Sequence, residues 1–237
     1  MNTIPKIIHQ TWKTNIIPKK MDFCINSWRK LNEDYEYKFW TDSDIQVFII
    51  EKFPEYLEIF NKCKLGIQKA DIFRLLVLYY YGGIYADIDF ECLVPIKYWN
   101  IDKNKINIAT EPIEHGKKDI LCNALICSPK NQNDLLKILE HGDKILNANP
   151  NEVMNSFGPF AWTNILKDSK NINFIKSELF YPIPDITISV ELEKKYRNII
   201  INRNFGNSYA VHYWEHSNWP RTNILNIYYK YLTSQKK

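Results

Sequence analysis

Alternating strand and helix patterns with no linker between them predict an α/β layered fold, organised as one domain over residues 1–237. Three observations carry that expectation. Apolar runs of strand length alternate with stretches of helical periodicity. No internal repeat, low-complexity tract or Gly/Ser linker interrupts them. The length also suits a single substantial core.

The elements follow in order. Residues 6–12, after Pro5, read as the first strand, and a helix begins near Met21 and ends over residues 27–31. Residues 35–40 read as a second strand with Tyr35, Tyr37 and Phe39 on one face. Asp42 or Ser43 is expected to cap a helix running through Phe53, since a short polar side chain accepts from the open amides of the first turn. Pro54 opens another short helix. Residues 66–81 form a long helix stopped by Gly82-Gly83, and 84–90 form a strand. Further strands are expected at 106–109, 124–127 and 209–213, and further helices at 132–146, 160–167 and 223–232.

Composition narrows the function classes. With 45% hydrophobic and 24% charged residues, the chain reads as a soluble globular protein. Aromatic residues reach 14%, which serves an aromatic core and sugar-stacking platforms equally well. The net charge of +4 is spread over short pairs such as Lys19-Lys20, Lys117-Lys118 and Lys194-Lys195. These are too brief to track a nucleic-acid backbone, so no nucleic-acid partner is expected. Five cysteines (Cys24, Cys63, Cys92, Cys122 and Cys127) are odd in number and widely spaced, which suggests neither a disulfide framework nor a zinc knuckle. Residues 1–10 hold no apolar run of signal-peptide length, the apolar stretch near 75–81 is too short to span a bilayer, and no Asn-x-Ser/Thr sequon occurs. The expected setting is cytoplasmic, or peripheral at the cytosolic face of a membrane, with no transmembrane segment.

Chemistry concentrates in three places. In the expected strand over 84–90, period-two alternation puts Tyr85, Asp87, Asp89 and Glu91 on one face. Two carboxylates two residues apart repel unless a cation lies between them, and their separation of roughly 6–7 Å suits a hard divalent ion. A bare Asp-x-Asp is common on solvated strands, but this one follows a helix and a double glycine, at the strand end where ligands of open α/β sheets collect. In the preceding helix, Asp71 and Arg74 interrupt an almost wholly apolar sequence at i, i+3 spacing. They form either a local ion pair or, if buried, groups that need further partners such as sugar hydroxyls. The third place is residues 210–219, with His212, Glu215, His216, Ser217 and two tryptophans, Trp214 and Trp219. It reads as a packed aromatic strand or as the source of a third metal ligand, a role a neutral imidazole suits.

These segments together resemble glycosyltransferase family 32, the DXD-type enzymes, and are more distantly similar to the catalytic domains of clostridial glucosylating toxins. The resemblance rests on Ile4-Pro5-Lys6-Ile7-Ile8-His9-Gln10-Thr11-Trp12, on Lys69-Ala70-Asp71-Ile72-Phe73-Arg74 and on Gly82 through Asp89, with weaker matches at 123–129, Gly158-Pro159 and 212–219. It implies a GT-A fold with a mostly parallel, Rossmann-like central sheet. It further implies that Gln10, Thr11 and Trp12 line the nucleotide pocket and that Asp71 and Arg74 hold the donor sugar. Asp87 would contact ribose and sugar, and Asp89 would coordinate Mn2+ or Mg2+. Ser217 and Trp219 would contact the diphosphate, and Asn123 would lie beneath the transferring sugar. The family pattern commonly reads His-His-Trp and then Ser-Trp, whereas here Tyr213 replaces the second histidine and Asn218 separates Ser217 from Trp219. His212 is the favoured third metal ligand, with His216 and Glu215 as alternatives.

The function expected on this resemblance is metal-dependent transfer of a hexose from a nucleoside diphosphate sugar to a hydroxyl, with retention at the anomeric carbon. A uridine diphosphate hexose is the first donor to consider and guanosine diphosphate mannose the second. The acceptor is a glycan, lipid-linked or protein hydroxyl, and residues 111–119 and 182–196 are the segments best placed to shape its side. Two rivals are a metal-dependent nucleotidyltransferase or phosphoesterase, and a catalytically silent sugar-nucleotide or glycan-binding module.

Overall fold

The computed structural model describes residues 3–215. Among them a six-stranded sheet runs in the order β2-β1-β3-β6-β5-β7: β1 (Ile7–Thr11), β2 (Glu36–Trp40), β3 (Gly83–Ala86), β5 (Ile106–Thr110), β6 (Leu121–Ser128) and β7 (Ile172–Ile175). β1 pairs in parallel with both β2 and β3, and β5 with β7; β6 alone runs antiparallel to its neighbours. A second sheet of two antiparallel strands joins β4 (Phe90–Cys92) to β8 (Ala210–His212). This is a mixed, mostly parallel sheet with helices on both faces.

Side-chain alternation divides the core in two. Ile8, Ile84, Ala86, Leu125 and Cys127 point to one face, where Cys24 and Trp28 of α1 (Asp22–Leu31) meet Phe180 of α7 (Ser177–Phe180) and Ile200 of α8 (Val190–Ile201). Tyr85, Ile106, Ile108 and Ile126 point to the other. That face is covered by α2 (Asp42–Lys52), α3 (Leu57–Lys62), α4 (Gly66–Tyr81), α5 (Asn133–Ala148) and α6 (Pro159–Leu166). Complete burial of each large aliphatic side chain contributes about 1.5–3 kcal/mol, and α4 is buried almost all round, which explains its near-absence of a polar face. The five cysteines are all buried free thiols.

Several expectations are corrected. The strand expected over 84–90 stops at Ala86; residues 87–89 turn, and the chain resumes as β4 in the other sheet. The cap of α2 is Thr41, not Asp42 or Ser43: its hydroxyl accepts from the Asp44 amide at 3.3 Å while the Asp44 carboxylate accepts from the Thr41 amide at 2.9 Å. Pro54 opens a 3-10 turn, Pro54–Tyr56, ahead of α3. β7, α7 and α8 were not expected from the sequence, and the helix expected at 223–232 lies outside the described residues.

The double glycine has a steric reason. Gly82 and Gly83 have φ of 65° and 99°, and a Cβ on Gly83 would stand 2.5 Å from the Ile7 carbonyl oxygen. Only glycine lets the chain leave α4 and enter β3 this close to β1.

Candidate active site

The strand order places the site. β1 connects outward to β2, while β3 lies on its other side, so a crevice opens beyond the C-terminal ends of β1 and β3. Trp12 follows β1 there and Asp87 follows β3. A cleft of about 240 Å³ occupies the crevice, with Trp12, Arg74, Tyr85, Asp87, Asp89 and Glu215 in its wall.

The turn after β3 aims the two aspartates. Asp87 donates its amide to the Ala124 carbonyl at 2.8 Å, and its own carbonyl accepts from the Phe90 amide at 3.0 Å. The carboxylates therefore converge because the backbone reverses, not because a strand alternates. Side-chain oxygens of Asp87 and Asp89 and a ring nitrogen of His212 all lie within 4.8 Å of one another.

Arg74 is the hub behind them. Its guanidinium lies 3.3 Å from the Asp71 carboxylate and 3.2 Å from that of Asp87, and donates to the Asn123 carbonyl at 2.5 Å. The Asn123 side-chain amide donates to Asp71 at 2.9 Å. Beneath the guanidinium, 4.7 Å away, is the ring of Tyr85, whose hydroxyl donates to Asp87 at 2.9 Å. Burial pushes the Asp71 carboxyl up to about 7 despite Arg74. Burial also raises Asp87, with Arg74 opposing and the neighbouring Asp89 adding to the shift. Burial opposes the charge on Arg74 as well, but Asp87, Tyr85 and Asp71 outweigh it and keep the guanidinium firmly protonated.

Asp89 is held from the C-terminal side. Phe90 and His212 are register partners in the β4–β8 ladder, with rings stacked at 4.5 Å and 9°. This sets His212 Nε2 3.2 Å from Asp89 Oδ1. Trp214 then adopts φ of 52°, a conformation that costs a non-glycine residue roughly 1–3 kcal/mol. In the resulting turn the Asp89 carbonyl accepts from the Tyr213 amide at 3.2 Å, and its carboxylate accepts from the Glu215 amide at 2.7 Å. Burial works against the charge on Asp89, but His212 and the Glu215 amide overcome it and hold the carboxyl below its ordinary value.

The donor set fits a divalent cation. Among the described residues, buried Asp71 and Asp89 and half-buried Asp87 gather around the one guanidinium of Arg74, while Lys20 and Glu215 neutralise each other at 2.6 Å. A dication beside Asp87, Asp89 and His212 would balance the remainder, and two carboxylates with an imidazole suit Mn2+ or Mg2+. Buried atoms with no hydrogen-bond partner among the described residues gather at the same place: Arg74 Nε, His212 Nδ1 and Glu215 Oε2.

The residues singled out in the sequence that fall among the described ones have definite positions. Asp71, Arg74, Asp87, Asp89, Asn123 and His212 come together. Thr11 and Trp12 line the cleft. Gln10 does not: it is fully buried, donating to the Asp87 carbonyl at 3.1 Å and accepting from the Tyr37 hydroxyl at 2.8 Å. Glu215 meets Asp89 through its backbone amide, its carboxylate being turned to Lys20. His216, Ser217 and Trp219 lie outside the described residues. Sequence reasoning missed Tyr85 as a partner of Asp87, although their i, i+2 spacing signalled it. It also missed buried Glu91, which takes a two-pronged contact from Arg203 and a hydrogen bond from Tyr213 behind His212.

Residues 18–109 match the family described as glycosyltransferase sugar-binding region containing DXD motif. Inositol phosphoceramide mannosyltransferase 3 of Schizosaccharomyces pombe is 47% identical over 89 residues, which is 38% of this chain and 25% of that protein. The chain thus matches about a quarter of that relative's length. Among solved structures, the PaToxG glycosyltransferase is similar with a TM-score of 0.54 and 25% identity, over 70% of this chain and 69% of that one. The galactosyltransferase LgtC, solved with donor and acceptor sugar analogs, shares the fold at a TM-score of 0.51 and 14% identity, over 96% and 95% of the two chains. Residues 18–109 are thus similar to the DXD-containing glycosyltransferase sugar-binding region, within a fold shared with solved GT-A glycosyltransferases.

Proposed function

We propose that this chain is a metal-dependent glycosyltransferase that moves a hexose from a nucleoside diphosphate sugar to a hydroxyl acceptor with retention of anomeric configuration. The observation that carries this reading is the convergence of the Asp71–Arg74–Asn123 network with the Asp87, Asp89 and His212 triad behind one cleft, whose wall Arg74, Asp87 and Asp89 form.

In this reading Trp12 and Thr11 flank the nucleotide, and Gln10 acts from behind by fixing the Asp87 backbone. Asp71 and Arg74 orient the donor sugar through paired hydrogen bonds, with Asn123 holding Asp71. Asp87 reaches ribose and sugar. Asp87, Asp89 and His212 hold the Mn2+ or Mg2+ ion, which when bound neutralises charge gathering on the departing diphosphate. Ser217 and Trp219 are assigned to the diphosphate by resemblance. As the bond between C1 and the diphosphate oxygen breaks, the acceptor oxygen bonds to C1 on the same face and its proton passes to the leaving group. The free thiols suit a reducing, cytoplasmic setting or the cytosolic face of a membrane. No helix among the described residues is long and apolar enough to cross a membrane.

The test incubates the protein with uridine diphosphate hexoses and guanosine diphosphate mannose, with Mn2+ or with chelator. Mannose earns its place because the S. pombe relative is named a mannosyltransferase. Release of nucleoside diphosphate from one donor, abolished by chelator and reduced at least about a hundredfold in Asp89→Ala, is the expected result. Release of pyrophosphate or inorganic phosphate instead would replace the assignment with nucleotidyl transfer or phosphoester hydrolysis. Donor binding without turnover, acceptor supplied, would make the chain a silent module. An inverted linkage in the NMR spectrum of the product would remove retention.

A further inference from the structure

A second, larger cleft lies on the other side of the triad. Between β5 and β6 the chain makes an excursion whose 3-10 turn, Ile113–His115, is closed by Gly116 at φ of 82°. Facing it are α7, the Tyr181-Pro182 corner and Tyr196 of α8, and together they enclose about 630 Å³.

Side-chain bonds fasten the two walls together. The Tyr196 hydroxyl donates to Glu114 at 2.5 Å. His115 Nε2 accepts from the Asp185 amide at 2.9 Å, which leaves Nδ1 as the donor to Glu111 at 3.0 Å and fixes the imidazole in one neutral tautomer. Aromatic rings join this cleft to the metal triad. Tyr181 lines the cleft, its ring 6.0 Å from that of His212 and 5.5 Å from that of Phe90. Its hydroxyl donates to the carbonyl of Cys122, next to Asn123. Trp214 stands 4.6 Å from His115 and 4.3 Å from His212. The Tyr181 ring thus stands both in the wall of this cleft and beside His212, one ring away from the triad.

The lining states what fits. Glu111, Glu114, Asp119 and Glu178 stand against Lys117 and Lys118, with Lys195 reaching Glu114 at 3.4 Å, and the Lys117 ammonium lies 4.1 Å over the Phe160 ring. An excess of carboxylates repels phosphate and uronate groups, while each carboxylate accepts from neighbouring hydroxyls of a sugar. Tyr181 and Tyr196, both buried, back the cleft and add apolar surface to its lining. Resting on the glycosyltransferase reading above, we infer that this cleft is the acceptor site and takes an uncharged sugar, excluding phosphorylated acceptors.

The experiment is saturation-transfer NMR on the full chain with Mn2+ and saturating uridine or guanosine diphosphate. The probes are the methyl glycosides of mannose, glucose and galactose, each alongside its 6-phosphate. Saturation of at least one neutral glycoside, undiminished by the nucleotide and at least about fivefold stronger than for its phosphate, is expected. Glu178→Lys, at an exposed position of the cleft wall, should erase that preference, with native folding checked by circular dichroism. Equal or tighter binding of the phosphate would overturn the ligand class. Displacement by the nucleotide would put the sugar in the donor cleft, and an unchanged preference in Glu178→Lys would put it elsewhere. Silence from every probe would overturn the site itself. Donor turnover measured on the same samples separates the two failures, because an active enzyme that binds no glycoside refutes this cleft alone.

Discussion

Arg74 carries more of the site than its one charge suggests. Itself buried, it pairs with both Asp71 and Asp87, anchors on the Asn123 carbonyl and rests on the Tyr85 ring. Removing one partner of a buried ion cluster leaves the others uncompensated, at a cost of about 3–5 kcal/mol. Arg74→Met is therefore expected to lower the free energy of unfolding by that amount in urea titrations. Adding Asp71→Asn should restore part of it, because the second change removes a charge the first has stranded. Half of this cluster was legible in the sequence: a carboxylate and a guanidinium at i, i+3 in an apolar helix must face each other. Asn123 entered only by resemblance. Its bond to Asp71 depends on β6 lying beside β3, a pairing that no local pattern encodes.

The element that decides the site is the passage from α4 through Gly82-Gly83 into β3, the turn at 87–89 and β4. Sequence periodicity made 84–90 a single strand because Ile84, Ala86, Ile88 and Phe90 alternate with polar residues. The same alternation suits two short strands in different sheets, and only the β4–β8 ladder distinguishes them. α8 escaped notice for another reason: of its twelve residues only Tyr196 and Ile200 are buried, so its apolar stripe is faint. β7 is a four-residue edge strand with Phe174 turned outward. Gly83→Ala tests the passage itself. A Cβ there would press on the Ile7 carbonyl while φ stays near 99°, so β1 and β3 must separate. A loss of about 2–4 kcal/mol in thermal or urea unfolding is expected, accompanied by weaker metal binding as the turn at 87–89 loses its footing.

Across the whole molecule, two buried groups, His9 of β1 and Asp71 of α4, pull the acid stability in opposite directions. His9 is enclosed between Trp40 Nε1, which donates to its Nδ1 at 3.2 Å, and the Gly82 carbonyl, and burial lowers its pKa to about 4. An unfolded chain takes up that proton first, so His9 contributes stability that is lost as pH falls from about 6.5 to about 4, amounting to about 3 kcal/mol. Asp71 behaves oppositely: its folded pKa lies above the unfolded one, so its contribution is lost as pH rises from about 4 to about 7. His9→Gln should leave a stability that declines with rising pH across this window, and Asp71→Asn one that climbs, in unfolding titrations at about pH 5 and 6.5. The two-sided core has one more consequence, through its cysteines. Cys24, Cys63, Cys92, Cys122 and Cys127 are spread over both core faces, and burial drives every thiol upward, Cys63 and Cys92 to about 12. Thiolates, the form that alkylating reagents attack, are thereby suppressed while the fold stays closed. Capture of each cysteine then dates the opening of its own layer, and the five together form a built-in clock for how this fold comes apart.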